Sequence, residues 1–398
     1  MFKVIMKFQF LFFCIFAIGT CTDPYYPHLD KYQSVLVVEG LVTDEKVPYE
    51  VRLSRTFQSI DSIPEIINDA IIHISDETGN MTSLKYSGDG IYKTDSALFC
   101  GELGKTYTLH IETGDGNKYQ SQPCVMLPAA DIDSVYFNRE EIIDNIRGKI
   151  SAGIMIYLDI EDNNEYGRYF LWEYEETWKF SLPYPRRYEY INGAFIKLDT
   201  VREYCWKSNK SGEILILSEL PDQEYSGKKV PIAFIASDES DRLTDRYSIL
   251  IKQYSISQKE FDFWHNLKQV SEDGGNIFDT QPFPVLSNIY NTDDPEEKVL
   301  GYFEVSSVKE RRIFIIPEDL KELDLPGFNY NCLKYVVAPS DYKPPMSYDE
   351  IYEGFMAHEG IVFVELIDNE KVVFVQEECS DCSIVGTLTK PEFWDDLQ

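Results

Sequence analysis

Near the C-terminus stands Cys379-Ser-Asp-Cys382, followed by Ser-Ile-Val-Gly-Thr-Leu-Thr-Lys-Pro-Glu-Phe-Trp394. A Cys-x-x-Cys pair can supply half of a zinc site, a redox centre, or one end of each of two disulfides. Tetrahedral zinc needs four thiolate or imidazole ligands at recognisable spacing. Here no second Cys-x-x-Cys exists, and His28, His73, His110, His265 and His358 are scattered singly. A redox pair sits at a helix start, where the dipole lowers the thiol pKa. This pair lies in a polar tail with Pro391 downstream. It reads as structural disulfides, with zinc and redox chemistry as the alternatives; no metal site and no cofactor is assigned.

That reading depends on compartment, which the N-terminus supplies. Lys3 and Lys7 accompany the apolar run Phe8–Ile18, shorter than the roughly 20 residues that cross a bilayer. Residues 1–20 therefore read as a secretory signal peptide. The leader closes on Ile18-Gly19-Thr20-Cys21, which resembles a bacterial lipobox with Cys21 as the lipidated mature N-terminus. Thr20 departs from the usual Gly, Ala or Ser, and an ordinary signal with a chance cysteine is the alternative. Residues 21–33 contain Pro and Tyr without apolar period and read as a tether. Exported chains meet oxidising conditions in which cysteines pair. Setting aside Cys14 in the leader and Cys21, there remain Cys100, Cys124, Cys205, Cys332, Cys379 and Cys382. We expect Cys100 to bridge Cys124. Cys379 and Cys382 should reach back to Cys205 and Cys332, in an order the sequence does not assign.

Other chemistry is sparse. There is no Gly-x-Ser-x-Gly elbow, no Gly-rich phosphate loop and no His-Glu-x-x-His. Asp159-Ile-Glu161-Asp-Asn163-Asn-Glu165 alternates oxygen ligands but lacks the turn glycine and closing glutamate of a calcium loop. An exposed acidic turn is the better reading. Among 68 acidic residues, no spacing singles out a carboxylate pair for glycoside hydrolysis. No catalytic residue is assigned. Phe170, Trp172, Tyr174, Trp178 and Phe180 fall on one face at period two, interrupted by Glu176. Such a row is a buried core or, if exposed, a platform for a sugar or partner. In the second case Tyr174 and Trp178 are the binding candidates.

The elements that must hold these residues are mainly β. Residues 34–127 carry about seven short strands separated by Gly and Asp, the pattern of a transthyretin- or immunoglobulin-like β-sandwich. Thr113-Gly-Asp-Gly-Asn117 is a hairpin signal, and Tyr107 after Leu103-Gly104 looks like a tyrosine corner. Met126–Ser134 is the expected boundary, so residues 128–398 form a larger β-rich domain ending in the disulfide-stapled tail. Its one clear helix, about 257–271, starts with the capping box Ser257-Gln-Lys-Glu260 and stops at Gly274-Gly275. Val299–Ser306 with Arg312–Ile316, and Ile361–Ile367 with Val372–Gln376, read as hairpins.

Of 398 residues, 43% are hydrophobic and 14% aromatic, which argues for folded domains. The net charge of −31 repels polyanions, so nucleic acid is not a partner. In order, the lipobox, "LVVEGLVT", "VRLSRTF", "GDGIY", "LGKTYTLHIET", "RYSILIKQYSISQKEFDFW", "GYFEVSS" and "CSDC…GTLTKPEFW" resemble the domain-of-unknown-function 4249 family of Bacteroidota lipoproteins, over almost the entire mature chain. The terminal motif is the most specific piece. The resemblance carries no activity and no site residues. Because such genes commonly neighbour TonB-dependent receptors, it implies an outer-membrane, lipid-anchored accessory of an uptake system, on the periplasmic face or cell surface. The lipid is the expected membrane contact. A secreted hydrolase of polysaccharide or protein and an adhesin-like spacer are the other readings.

Overall fold

The computed structural model describes residues 34–395 apart from 57–64, 145–147, 162–167, 219–226, 274–284 and 286. The leader, Cys21, the tether, Gly274-Gly275 and Glu165 lie outside the described residues. Among those described, no helix is long and apolar enough to cross a membrane. The chain is mainly β, with several sheets and few helices.

Two six-stranded sheets form the first body. Leu36–Val42 and Thr106–Glu112 bury alternate residues, the signature of a sheet with one face on the core and one in water. The first sheet runs Val299–Val305, Leu36–Val42, Glu50–Arg55, Ile91–Lys93, Lys85–Gly88, with Glu65–Ile66 beside Glu50–Arg55. The second runs Ile289–Asn291, Lys118–Ser121, Thr106–Glu112, Ile71–Asp76, Met81–Ser83, with Cys124–Val125 beside Thr106–Glu112. They share one core, to which Leu36, Leu53, Ile72, Leu109, Tyr119 and Phe303 all belong. The hairpin at Thr113–Asn117 forms, with Gly116 at φ +89°, a left-handed conformation that costs glycine little. The Tyr107 hydroxyl accepts the Glu102 N–H at 2.9 Å, the upstream loop bond of a tyrosine corner.

After Leu127 the chain leaves these two sheets, but not for good. Val299–Val305 returns and lies parallel to Leu36–Val42, in register from Leu36 opposite Val299 to Val42 opposite Val305. It does not form the expected hairpin with 312–316, because Val308–Ile315 pairs instead with Tyr247–Ser255. Two residues make the crossing. Ser306 donates its N–H to Val42 O, and the Ser307 hydroxyl donates to Leu127 O at 2.6 Å. Gly301, at φ +87°, permits the close pairing: a Cβ there would stand 1.9 Å from Val38 O.

In the second body a three-stranded sheet, Ile132–Asp144, Lys149–Ile160 and Val230–Ala236, shares a core with a sheet built on Tyr169–Ser181. The latter is flanked by Tyr204–Lys210, Leu215–Ser218 and Tyr247–Ser255, with Val308–Ile315 beyond. A smaller C-terminal module combines the sheet Lys334–Val337, Lys371–Gln376, Ile361–Ile367 with the hairpin Tyr188–Ile191/Ala194–Lys197 and a helix, Tyr348–Met356. Here the expected pairing of 361–367 with its neighbour is observed. The predicted helix, α1, spans Gln258–Asp273. Its Ser257 hydroxyl accepts the Glu260 N–H at 3.2 Å.

Candidate functional site

The aromatic row lies inside the second body. Trp178 is 7% exposed, Phe170, Trp172 and Phe180 are buried, and Tyr174 packs half-buried against the same core. The binding role for Trp178 is therefore corrected, because its ring belongs to the core, and Tyr174 keeps only the part of its ring that this core leaves uncovered. Glu176 explains why the row could carry an acid. It is buried and accepts from Arg242 (2.8 Å), Asn209 (3.1 Å) and Tyr247 (3.0 Å). Beside it, buried Asp241 accepts from the Trp178 indole (2.8 Å), Lys207 (2.7 Å) and Tyr330 (3.0 Å). Burial, followed by Glu176, pushes the Tyr247 hydroxyl well above its ordinary range, so it acts as a donor. A buried charge needs this many partners to be tolerated. Sequence reasoning missed Asp241 and Arg242; the misplaced Glu176 was the signal that could have found them.

The terminal motif is a strap. Cys205 bridges Cys382, and Cys332 bridges Cys379. Between them and the C-terminus, Thr387 exchanges backbone hydrogen bonds with Trp206. Gly386 fits where a Cβ would come within 2.8 Å of both the Phe180 ring and Trp206 O. Trp394 is buried edge-on against Trp206 and Phe314. The expected Cys100–Cys124 bridge is absent; both are free thiols. They serve different neighbours. Cys100 lies against the Asp44 and Glu45 carbonyls, whereas Cys124 packs against Asn288 and Phe303 of the returning segment. Burial raises the Cys124 thiol to about 12, so it stays protonated and is a poor nucleophile.

Asp159 accepts from Ser134, Tyr136 and the Lys229 N–H, and among the described residues no group of three or more His, Cys, Asp or Glu side chains is arranged to hold a metal ion. The histidines are less scattered than their sequence positions suggest: His73 and His110 are cross-strand partners, each bonded to a serine.

The least expected chemistry lies under α1, which crosses the seam between the two bodies. Phe263 packs on Tyr302 of the first body at 4.8 Å, and Phe261 on Tyr169 of the second at 5.2 Å. Between them Glu260, 3% exposed, lies near the half-buried Glu304, whose charge is among the causes that raise it. Burial is the main reason both acids ionise late. Repulsion between neighbouring carboxylates adds to it, and Glu304 rises to about 8 with Glu260 also well above its usual range. The Trp264 indole faces Glu304 and works against its rise, while Glu260 Oε1 is buried without a hydrogen-bond partner. Beside α1 opens a cavity of about 240 Å³, lined by Gln122, Lys259, Asp262, Phe263, Asn266 and Tyr302 among others; neither carboxyl is in its lining. The pair can hold a proton; the adjoining cavity does not bring a substrate to it.

With this geometry in view, comparison with known proteins is informative at one level. Residues 22–312 match the family described as domain of unknown function (DUF4249). The chain belongs to the DUF4249 family. The match includes both carboxyls of the seam and ends at Arg312, so Cys332, Cys379, Cys382 and the strap lie beyond the matched residues. The terminal motif is thus not part of what establishes membership in DUF4249. No curated protein matches. Among solved structures, trypsin-activated alpha-2-macroglobulin from Escherichia coli is 10% identical, with 77% of this chain and 16% of that chain covered and a TM-score of 0.17. At that score the likeness carries no argument.

Proposed function

We propose that this protein is an outer-membrane lipoprotein, anchored through Cys21, that docks a TonB-dependent receptor rather than catalysing a reaction. The leader and lipobox support the anchor, as does a family match that begins at Thr22, directly after Cys21. The observation that carries the docking role is the edge strand Lys334–Val337. It pairs only with Lys371–Gln376, so its outer backbone edge has no strand partner among the described residues. Tyr335 and Val336 of this strand are exposed by 40% and 43%, and Leu333 just before it by 53%. An open apolar edge is a ready template for an added strand, and strand addition is a recurring way of binding extended segments. The Glu260–Glu304 pair does not favour the hydrolase reading, because the neighbouring cavity excludes it.

Cys21→Ser is expected to shift the protein from the membrane to the soluble fraction, since acyl chains are the anchor. Unchanged fractionation would refute the lipid anchor. Separately, Leu333→Lys with Val336→Lys should reduce receptor co-purification in mild detergent at least tenfold with the melting temperature unchanged. Undiminished capture by that variant removes the edge strand as the docking surface. Failure of the native protein to capture any such receptor overturns the docking role itself.

A further inference from the structure

We propose that His73 and His110 form a site for a divalent transition-metal ion of the nickel, copper or zinc class, held by two imidazole nitrogens on the outer face of the second sheet. The strands Ile71–Asp76 and Thr106–Glu112 pair antiparallel, with His73 directly opposite His110. On the same strands Ile72, Ile74, Leu109 and Ile111 are buried in the core, so the alternation of a strand turns both histidines outward. Residues opposed in this way carry their Cβ atoms about 4.5–5.5 Å apart, close enough for two rings to meet on one ion. Both rings line one cavity of about 240 Å³, with Ile71, Glu112, Lys118 and Gln120 among its other walls. Both are half-exposed, so an ion reaches them from solvent.

The hydrogen bonds leave the right atoms for this. His73 Nδ1 lies 3.0 Å from the Ser83 hydroxyl, and His110 Nε2 lies 2.9 Å from that of Ser75. With a proton on each of those nitrogens the serine oxygens accept, and the lone pairs of His73 Nε2 and His110 Nδ1 are left to ligate. Neither of these two nitrogens has a hydrogen-bond partner among the described residues. A metal-bound histidine donates its other N–H to such an oxygen, which sets the tautomer and aims the ring. Burial, with His73 beside it, holds His110 below the ordinary imidazole range. That favours the neutral ring, the state that binds metal.

Glu112, two residues beyond His110 on the same face, is paired with Lys118 at 4.0 Å. The chain therefore supplies two ligands, and water completes the shell. Imidazole selects nickel, copper and zinc over magnesium and calcium, which take oxygen ligands. Open positions distinguish the site from a structural zinc centre, where protein fills all four.

Isothermal titration of the full chain with nickel(II) chloride alone tests this. One saturable site is expected at pH 7.5, undisturbed by excess magnesium. His73→Ala and His110→Ala should each weaken it by about tenfold or more, the advantage lost when a second ligand no longer binds within the same site. Replacing His28, His265 and His358 together with alanine should leave the affinity as in the native chain. Lowering the pH to 5.5 should weaken binding, because both rings then take up protons. With one equivalent of copper(II) sulfate on the native chain, pulsed electron paramagnetic resonance should show two equatorial imidazoles. The absence of a saturable site overturns the proposal. So does native affinity in either single variant, loss of binding in the triple variant, an affinity independent of pH, or a single copper-bound imidazole.

Discussion

Arg242→Ala is expected to lower the free energy of unfolding by about 3–5 kcal/mol, the range for removing one partner of a buried ion pair. Arg242 gives Glu176 two hydrogen bonds, from Nε at 3.1 Å and Nη2 at 2.8 Å, and lies 5.2 Å from the Trp178 ring centre. Without it, the Glu176 side chain, 4% exposed, keeps only the neutral donors Asn209 and Tyr247. A carboxylate so buried is left without a countercharge. Adding Glu176→Gln should restore part of the loss, because the uncompensated charge is then gone while the donors retain an acceptor. Chemical denaturation of the single and double variants measures both effects. A loss below about 1 kcal/mol for Arg242→Ala would mean that water reaches Glu176, and the network would not be part of a dry core.

The second large effect concerns the strap. Replacing Cys205 and Cys382 together with alanine should cost about 2–5 kcal/mol and uncouple the C-terminal module from the second body. The bridge closes a sequence separation of 177, for which the chain-entropy account gives about 5 kcal/mol, though measured bridges usually give less. The Cys332–Cys379 bridge, over a separation of 47, remains and holds the module internally. Unfolding should therefore separate into two steps, with exchange protection lost first in residues 334–376. Peptide mapping without reductant must first recover the two bridges. A single transition at unchanged midpoint would show that Trp394, Gly386 and Thr387 suffice to hold the strap.

The sequence alone settled what depends on local chemistry. Alternating apolar residues specify strands because side chains on a strand point to opposite faces, so strands at Ser34–Thr43, Tyr107–Thr113 and Arg168–Phe180 could be read directly. Ser257 announced α1, and Gly116 its hairpin, because capping and positive φ are properties of a few neighbouring residues. Linking the tail cysteines to Cys205 and Cys332 required only the compartment and the absence of zinc spacing. What tertiary structure decided involves distance along the chain. The order of those bridges, the return of Val299–Val305 to a strand at residue 36, and the separation of Cys100 from Cys124 depend on which surfaces meet. No local pattern encodes that. The same is true of the acids. In the sequence Glu176 is only an interruption of an aromatic row and Glu260 only the last residue of a capping box, until Arg242 is found opposite the first and Glu304 near the second. Burial then makes one an ion pair and the other a proton carrier, because in a dry interior a carboxyl must find either a cation or a proton.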